Sequence, residues 1–247
     1  MAVRSKSGDP ALEAFFAACV GAAWAEQLWH AAVEYFMASG FEQVSYHHLP
    51  PLGAADEGRV RVAAHGFPEA WVKTYITDKL YRDDPVVAAA GATETPFRWS
   101  EIREIRALSE QEDAFLTRME EAELGDGLAV PVFGPNGRNG YFGLGARDSH
   151  LDAPATFKYQ AVCQTAHLRY CRLQREQLPE PPALSERETE LLRWVVRGKS
   201  NGVIADIMDI SPHTVDAYLR RVFLKLGTSN RICAAVQALG HGLVRGY

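Results

Sequence analysis

The chain has 247 residues, 47% of them hydrophobic and 23% charged, and a net charge of −5. That composition supports one large or two modest globular domains, contains no run of about 18 apolar residues that could span a membrane, and by its overall charge argues against a nucleic-acid binder. The four cysteines, Cys19, Cys163, Cys171 and Cys233, are scattered without metal-ligand spacing, so they read as reduced thiols of a cytoplasmic protein with no metal site.

Met1 to Trp24, with Glu13 and Glu26 around a short apolar patch, reads as an amphipathic helix rather than a signal peptide. Helical character runs from Pro10 to about Ser39 on Leu12, Phe15, Phe16 and Cys19, then Trp24, Leu28, Ala31, Ala32, Tyr35 and Phe36; Gly40 stops it. Phe41 to Leu49 is strand-like and Pro50-Pro51 breaks it, and Arg59 to Ala64 alternates into a second strand. Pro68 opens a helix over Glu69 to Tyr81, and Asp84-Pro85 starts a short one. Ser109-Glu110-Gln111-Glu112 is a capping box ahead of Phe115, Met119 and Ala122. Gly127–Phe133 and Gly140–Ala146 are apolar runs joined by Gly134-Pro-Asn-Gly137, a hairpin signal. Ala153 to about Gln177 is one long helix with Phe157, Ala161, Gln164, Leu168 and Cys171 along one side. The predicted fold class is α+β, an N-terminal α/β/α sandwich around an antiparallel sheet. It spans residues 1–178 and is followed by a proline-rich linker, 179–183, stiffened by Pro179, Pro181 and Pro182.

Residues 184–247 predict an all-α four-helix domain. Ser185-Glu186-Arg187-Glu188 is a second capping box, with Leu191, Leu192, Val195 and Val196 as core positions and Gly198 as stop. Ser200 caps the next helix, on which Val203, Ile204, Ile207 and Met208 keep helical spacing. Asp209-Ile210 leads to Ser211-Pro212, an N-cap and first helical position, so two helices are joined by about the 3–4 residues of a helix-turn-helix. Val215, Leu219, Val222, Phe223 and Leu226 form a buried stripe, while His213, Asp216, Ala217, Arg220 and Arg221 face the other way, an arrangement suited to a major groove. Gly227 ends this helix and Ser229 starts a fourth with Ile232, Ala235, Val236 and Leu239 on one side. From Ala183 onward nine Lys/Arg stand against six acidic residues, a local +3 that leaves −8 for the remainder; this asymmetry fits an acidic sensory domain joined to a DNA-binding one.

These C-terminal motifs, Leu184-Ser-Glu-Arg-Glu188, Gly198-Lys-Ser-Asn201, Ile204-Ala205, Ser211 through Val215 and Lys225-Leu226-Gly227 with Asn230-Arg231, resemble the DNA-binding domain of LuxR-type regulators. The stretch ahead of them agrees. Trp71 and Tyr75 lie four apart and share a helical face, Asp84 sits at a helix start whose dipole favours its charge, and Phe97-Arg98-Trp99 and Gly127 follow. An indole N–H, a phenol, a carboxylate and aromatic walls suit a small amphipathic ligand. Trp71, Tyr75, Asp84, Pro85, Trp99 and Gly127 also resemble, at matching spacings, the signature of the LuxR autoinducer-binding domain.

The resemblance implies an N-acyl-homoserine lactone as ligand and no cofactor. Trp71 would donate to the lactone carbonyl, Asp84 would accept from the ligand's amide N–H, Tyr75 would lie near the acyl end, and Trp99 would pack on the lactone ring. Gly127 would allow close packing behind the pocket. Tyr46 and Val87 complete the expected lining. Two positions depart from the family pattern. Phe67 stands where many relatives have a tyrosine, and Gly143 where several have serine or threonine, which implies a drier, roomier wall and a changed acyl preference. The further implications are homodimerisation, through the 153–177 helix and the Ile232–Leu239 face, binding to double-stranded DNA at a pseudo-palindromic site, and contact with RNA polymerase. Arg220 with Asp216 and Ala217 are expected to read bases, and Lys199, Ser200, Asn201, Thr214 and Arg221 to contact phosphate. Asp216 departs from the Lys or Arg of many relatives.

Catalysis is not expected. His47 and His48 are adjacent on a strand and point to opposite faces, so they cannot share a metal. Glu120, Glu121 and Glu123 lie on a solvated helix, and Asp83-Asp84 precedes a proline in helical context, unlike a phospho-acceptor site. A non-lactone small molecule, or a regulator that folds and acts without ligand, is the alternative.

Overall fold

The computed structural model describes residues 9–146 and 153–245, so the first part of the predicted amphipathic helix, residues 1–8, lies outside the described residues. The chain divides into two compact units, residues 1–49 with 60–176, and residues 50–59 with 177–247.

The first unit opens with α1 (Pro10–Gly21), capped by the Asp9 carboxylate on the backbone N–H of Ala11 and Leu12, and α2 (Ala25–Ala38). Then come β1 (Gln43–Leu49), β2 (Arg61–His65), α3 (Glu69–Thr77) and α4 (Pro85–Ala90). They are followed by β3 (Phe97–Arg98), α5 (Ile102–Ile105), α6 (Glu110–Glu121), β4 (Gly127–Val132), β5 (Asn139–Gly145) and α7 (Ala153–Gln177). Ser109 and Glu112 form the expected capping box on α6. The five strands make one antiparallel sheet in the order β2-β1-β5-β4-β3. The two-residue β3 escapes a sequence reading because so short a run carries no alternation.

Strand alternation sorts two cores. Val44, Tyr46, Leu128, Val130, Val132, Phe142 and Leu144 pack against Phe15, Leu28, Phe36, Tyr159 and Val162 of α1, α2 and α7. On the other face Ala129 and Tyr141 meet Tyr75, Val86, Phe97, Trp99, Ile102 and Phe115. The predicted sandwich is therefore present. Of the side of α7 marked in the sequence, Phe157, Ala161 and Leu168 are exposed, Gln164 is half-buried and Cys171 is buried, while Tyr159, Val162, Cys163, Ala166, His167 and Tyr170 make up the rest of the buried face. Helical spacing picks out faces but cannot say which of two partly apolar faces meets the sheet.

The second unit holds α8 (Glu186–Val196), α9 (Asn201–Met208), α10 (Pro212–Leu226) and α11 (Arg231–Gly240). Ser185, Ser200 and Ser211 cap the first three as expected, while α11 is capped by Asn230, one residue later than predicted. The Asn side chain accepts from the Cys233 N–H at 2.8 Å. Leu191, Leu192, Val195, Ile204, Met208, Val215, Leu219, Val222, Leu226, Ala234 and Ala238 form its core. Glu188 is buried and accepts from Lys225 Nζ at 2.7 Å and from the Ser185 N–H at 2.7 Å. Burial works against its charge, yet these partners hold its pKa below the usual carboxylate range. The segment 50–59 groups with this unit, a placement the sequence does not signal; Gly53, at φ +76°, meets the Val236 carbonyl so closely that a Cβ has no room.

Candidate functional site

A cavity of about 50 Å³ lies on the α3–α6 side of the sheet. Its walls come from Ser45 and His47 on β1, Val62 and Ala64 on β2, Phe67, Trp71, Val72 and Tyr75 around α3, Asp84 and Val86 at the start of α4, and Trp99, Phe115, Met119, Leu124 and Tyr141. Trp71 and Tyr75 share a face as their spacing requires, with ring centroids 6.3 Å apart, and Phe115 packs 5.9 Å from Trp71. Phe67 lies 6.4 Å from Trp99.

The polar groups of the cavity are bonded to one another. Asp84 is the N-cap of α4, its Oδ1 accepting from the Val86 N–H at 2.9 Å. Its Oδ2 accepts from the Tyr75 hydroxyl at 2.7 Å and more distantly from that of Tyr141 at 3.4 Å. Because the Tyr75 proton goes to the carboxylate, its oxygen is the acceptor for His47 Nε2–H at 3.0 Å. The His47 ring stacks on Tyr141, centroids 4.3 Å apart and planes 8° from parallel. Burial drives the His47 pKa down to about 3, so the ring is neutral. Burial also lifts Asp84 to about 6 against the lowering effect of its Tyr75 and Val86 hydrogen bonds. Desolvation thus outweighs the helix dipole expected to keep this carboxylate ionised.

Five of the eight expected lining residues, Phe67, Trp71, Tyr75, Asp84 and Trp99, reach this cavity. Tyr46 does not. Strand alternation turns it to the opposite face, where its hydroxyl bonds His167 Nδ1 at 2.8 Å, and its neighbours Ser45 and His47 line the cavity instead. Val87 is also displaced, by Val86, because one step along a helix rotates a side chain off the wall. Gly143 sits behind the wall, and a Cβ there would stand 2.5 Å from Ser45 Oγ and 3.1 Å from the Trp99 ring. Ser45 and Trp99 take the space beside Gly143, and Ser45 puts a hydroxyl at this part of the wall. Sequence reasoning missed Ser45, His47, Phe115, Met119 and Tyr141. The alternation of β1 and β5 narrows such residues to one of two faces.

In the second unit, Lys199, Ser200, Asp216, Arg220 and Arg221 are exposed, and Asn201, Thr214 and Ala217 are half-buried. Several have partners. Asn201 donates from Nδ2 to Asp216 Oδ1 at 2.6 Å, and Arg231 Nη1 donates to Asn201 Oδ1 at 2.7 Å while Nη2 bonds the Lys199 carbonyl. Arg231, not singled out as a contact residue by its sequence position, thus ties the start of α9 to α11. The Thr214 and Ser211 hydroxyls are 2.8 Å apart, and the Arg221 guanidinium lies 4.9 Å from the Tyr218 ring centre. Arg220 projects from the exposed face of α10. No helix among the described residues is long and apolar enough to cross a membrane.

An α/β/α sandwich with an aromatic-walled cavity, joined in one chain to a helix-turn-helix unit, defines a transcriptional regulator with a sensory domain. Residues 25–170 match the family described as "Autoinducer binding domain", and residues 182–238 match "Bacterial regulatory proteins, luxR family". The chain belongs to the LuxR family of autoinducer-binding, quorum-sensing transcriptional regulators, a family of regulators and not of enzymes. It is 30% identical over 182 residues to the quorum sensing-dependent transcriptional regulator RpaR of Rhodopseudomonas palustris, covering 74% of each chain. It is 30% identical over 180 residues to y4qH of Sinorhizobium fredii, covering 72% of this chain and 55% of that longer protein. The crystal structure of Escherichia coli SdiA superposes with a TM-score of 0.71 at 21% identity, over 94% of this chain and 97% of that one, a likeness of fold.

Proposed function

We propose that the first unit binds an N-acyl-homoserine lactone and that two copies of the chain, dimerised, then read a pseudo-palindromic DNA site. The observation that carries this reading is the polar corner of Asp84, Tyr75 and Trp71 set in an otherwise apolar, aromatic cavity. A carboxylate offers about four lone-pair sites, and the Val86 N–H and the Tyr75 and Tyr141 hydroxyls leave room for a ligand amide N–H on Asp84. Trp71 donates its indole N–H to the lactone carbonyl, Tyr75 borders the amide and acyl end, and Trp99 packs on the lactone ring. The free volume, about 50 Å³, is far below the roughly 300 Å³ of ordinary ligand pockets. Binding therefore moves wall side chains, and the half-buried ones, Phe67, Trp71, Val72 and Met119 among them, have somewhere to go.

Lys199, Ser200, Asn201, Thr214 and Arg221 serve phosphate contact and Arg220, Asp216 and Ala217 base reading, with Asn201 holding Asp216 in place. The exposed apolar stripe of α7, with Phe157 at 64% and Leu168 at 47% exposure, is the dimer surface, together with Ile232 and Leu239 of α11. RNA polymerase is a further partner of the DNA-bound dimer.

The test is thermal unfolding with a panel of lactones that vary in chain length, 3-substituent and aryl character. A ligand at a hundred times its Kd adds about 2.7 kcal/mol, a shift that Asp84→Asn and Trp71→Phe remove. One observation favours a second reading, a regulator that answers to a non-lactone molecule or folds without any. His47, Tyr75, Asp84 and Tyr141 are already hydrogen-bonded to one another. A well-folded protein that no lactone shifts selects that reading.

A further inference from the structure

On the α7 side of the sheet, away from the aromatic cavity, three buried side chains converge. His48 comes from β1, and His167 and Cys171 stand one turn apart on α7, at 1%, 0% and 2% exposure. A ring nitrogen of each histidine and the cysteine sulfur all lie within 4.8 Å of one another. His167 Nε2 is 3.4 Å from Cys171 Sγ. Two ligands of one tetrahedral ion, at bond lengths of roughly 2.0–2.3 Å, stand about 3.5 Å apart, so this pair is already at coordination spacing. In the metal-free chain the Arg138 carbonyl is the hydrogen-bond partner of His167 Nε2 at 2.8 Å and lies 4.0 Å from the sulfur, so it stands next to the group and is released as a fourth donor when Nε2 takes the ion.

Two further features suit an ion. Gly134 faces the group, and a Cβ there would stand 2.9 Å from both His167 Nε2 and Cys171 Sγ, so the glycine keeps the approach to the donors open. Tyr46 hydroxyl lies 2.8 Å from His167 Nδ1. With Nε2 on a metal the proton moves to Nδ1 and is donated to that hydroxyl, the outer hydrogen bond that fixes the tautomer and orientation of metal-bound imidazoles. A second cavity, about 270 Å³, lies beside the group, walled by Tyr46, Ala166 and Tyr170 and reaching the exposed Glu26 and Arg61. The Tyr170 ring lies 5.0 Å from that of His48.

We propose that His48, His167 and Cys171, with the Arg138 carbonyl, bind one thiophilic d10 cation. Binding releases the Cys171 thiol proton to solvent, and the thiolate and two neutral imidazoles become the ligands. Charge favours the cuprous ion. One thiolate and a monovalent cation sum to zero in this apolar interior, whereas zinc, which the same thiolate and imidazole donors also suit, leaves one uncompensated positive charge there. The donors come from a strand and a helix more than a hundred residues apart, which is why cysteine spacing in the sequence does not reveal them.

The experiment titrates the reduced, metal-free full-length protein with cuprous ion buffered by a chromogenic chelator under anaerobic conditions, and in a second arm with zinc, using cobalt(II) as its spectroscopic substitute. One equivalent of cuprous ion should leave the chelator and raise the melting temperature. Cys171→Ser and His48→Gln should each weaken uptake at least about 10-fold, and Cys233→Ser, which removes the exposed thiol, should leave it unchanged. A tetrahedral cobalt spectrum with thiolate charge-transfer absorption, lost in Cys171→Ser, supports the same site in its divalent form. Uptake that survives both Cys171→Ser and His48→Gln, or that disappears in Cys233→Ser, overturns the proposal. Wild-type protein that takes up neither ion, with no change in melting temperature, also overturns it and needs no variant to fold.

Discussion

The imidazole of His47 lies flat on the phenol ring of Tyr141, 4.3 Å centroid to centroid and 8° from parallel, across the β1–β5 ladder in which the two residues are register partners. The pair forms the sheet-side floor of the aromatic cavity and closes the hydrogen-bond circuit through Tyr75 to Asp84. In that circuit Asp84 is the one carboxylate, so its titration should be visible in the stability of the whole unit.

Asp84 has a folded pKa of about 6 against an ordinary 3.8. An acid that holds its proton more tightly when folded adds stability that is complete below the unfolded pKa and is lost as pH rises through the folded one. Between about pH 4 and 6 the wild type should therefore lose on the order of 3 kcal/mol that Asp84→Asn does not lose. Urea unfolding of both proteins across that range reads the difference. Parallel pH profiles would mean that the buried acid is not the titrating group.

Gly127 is the second position to probe. A Cβ there would stand 2.7 Å from the Leu144 carbonyl oxygen and 2.8 Å from the Trp99 ring. Gly127→Ala should cost about 1–3 kcal/mol through overpacking and displace the indole, which tryptophan fluorescence registers. An unchanged midpoint in urea would show that the Trp99 wall gives way freely.

Gly143 and Ser45 should be coupled. Gly143→Ser puts its new Cβ 2.5 Å from Ser45 Oγ, so the single substitution destabilises, and adding Ser45→Ala should recover part of the loss. The expected interaction energy is about 0.5–3 kcal/mol. Strict additivity in the double-mutant cycle would contradict the packing described for this corner.

On the DNA side, Lys199→Ala and Arg221→Ala should weaken binding about equally on every sequence and each reduce the salt slope by about 1. Asp216→Ala or Arg220→Ala should instead relax preference at one base pair by about 1–3 kcal/mol. Competition binding on an operator and its single-base variants separates the two outcomes. A uniform loss from Arg220→Ala would move that residue to the phosphate group.

Much of this was legible in the residues. The serine caps at Ser185, Ser200 and Ser211 mark three helix starts because each hydroxyl satisfies a backbone N–H that has no helical partner. Trp71, Tyr75, Asp84 and Trp99 were readable mainly through the family resemblance, to which the helical spacing of Trp71 and Tyr75 and the cap position of Asp84 added. What failed was phase. Tyr46 was expected at the cavity and Ser45 and His47 were not, since an aromatic ring suits a binding wall and the alternation of β1 does not say which face meets which cavity. Contacts such as His47 with Tyr141, ninety-four positions apart, and the His48 cluster arise from pairing and packing that no local window contains.

β1 is a partition with a different clientele on each side: Ser45 and His47 serve the aromatic cavity, while Tyr46 and His48 serve the α7 side. Shifting the strand by one residue exchanges the two sets. Descendants of this chain can therefore alter either side by substitution, one residue at a time, but an insertion or deletion within Gln43–Leu49 would rewrite both at once. The strand's length therefore binds the two sides together, whereas each of its residues answers to one side alone.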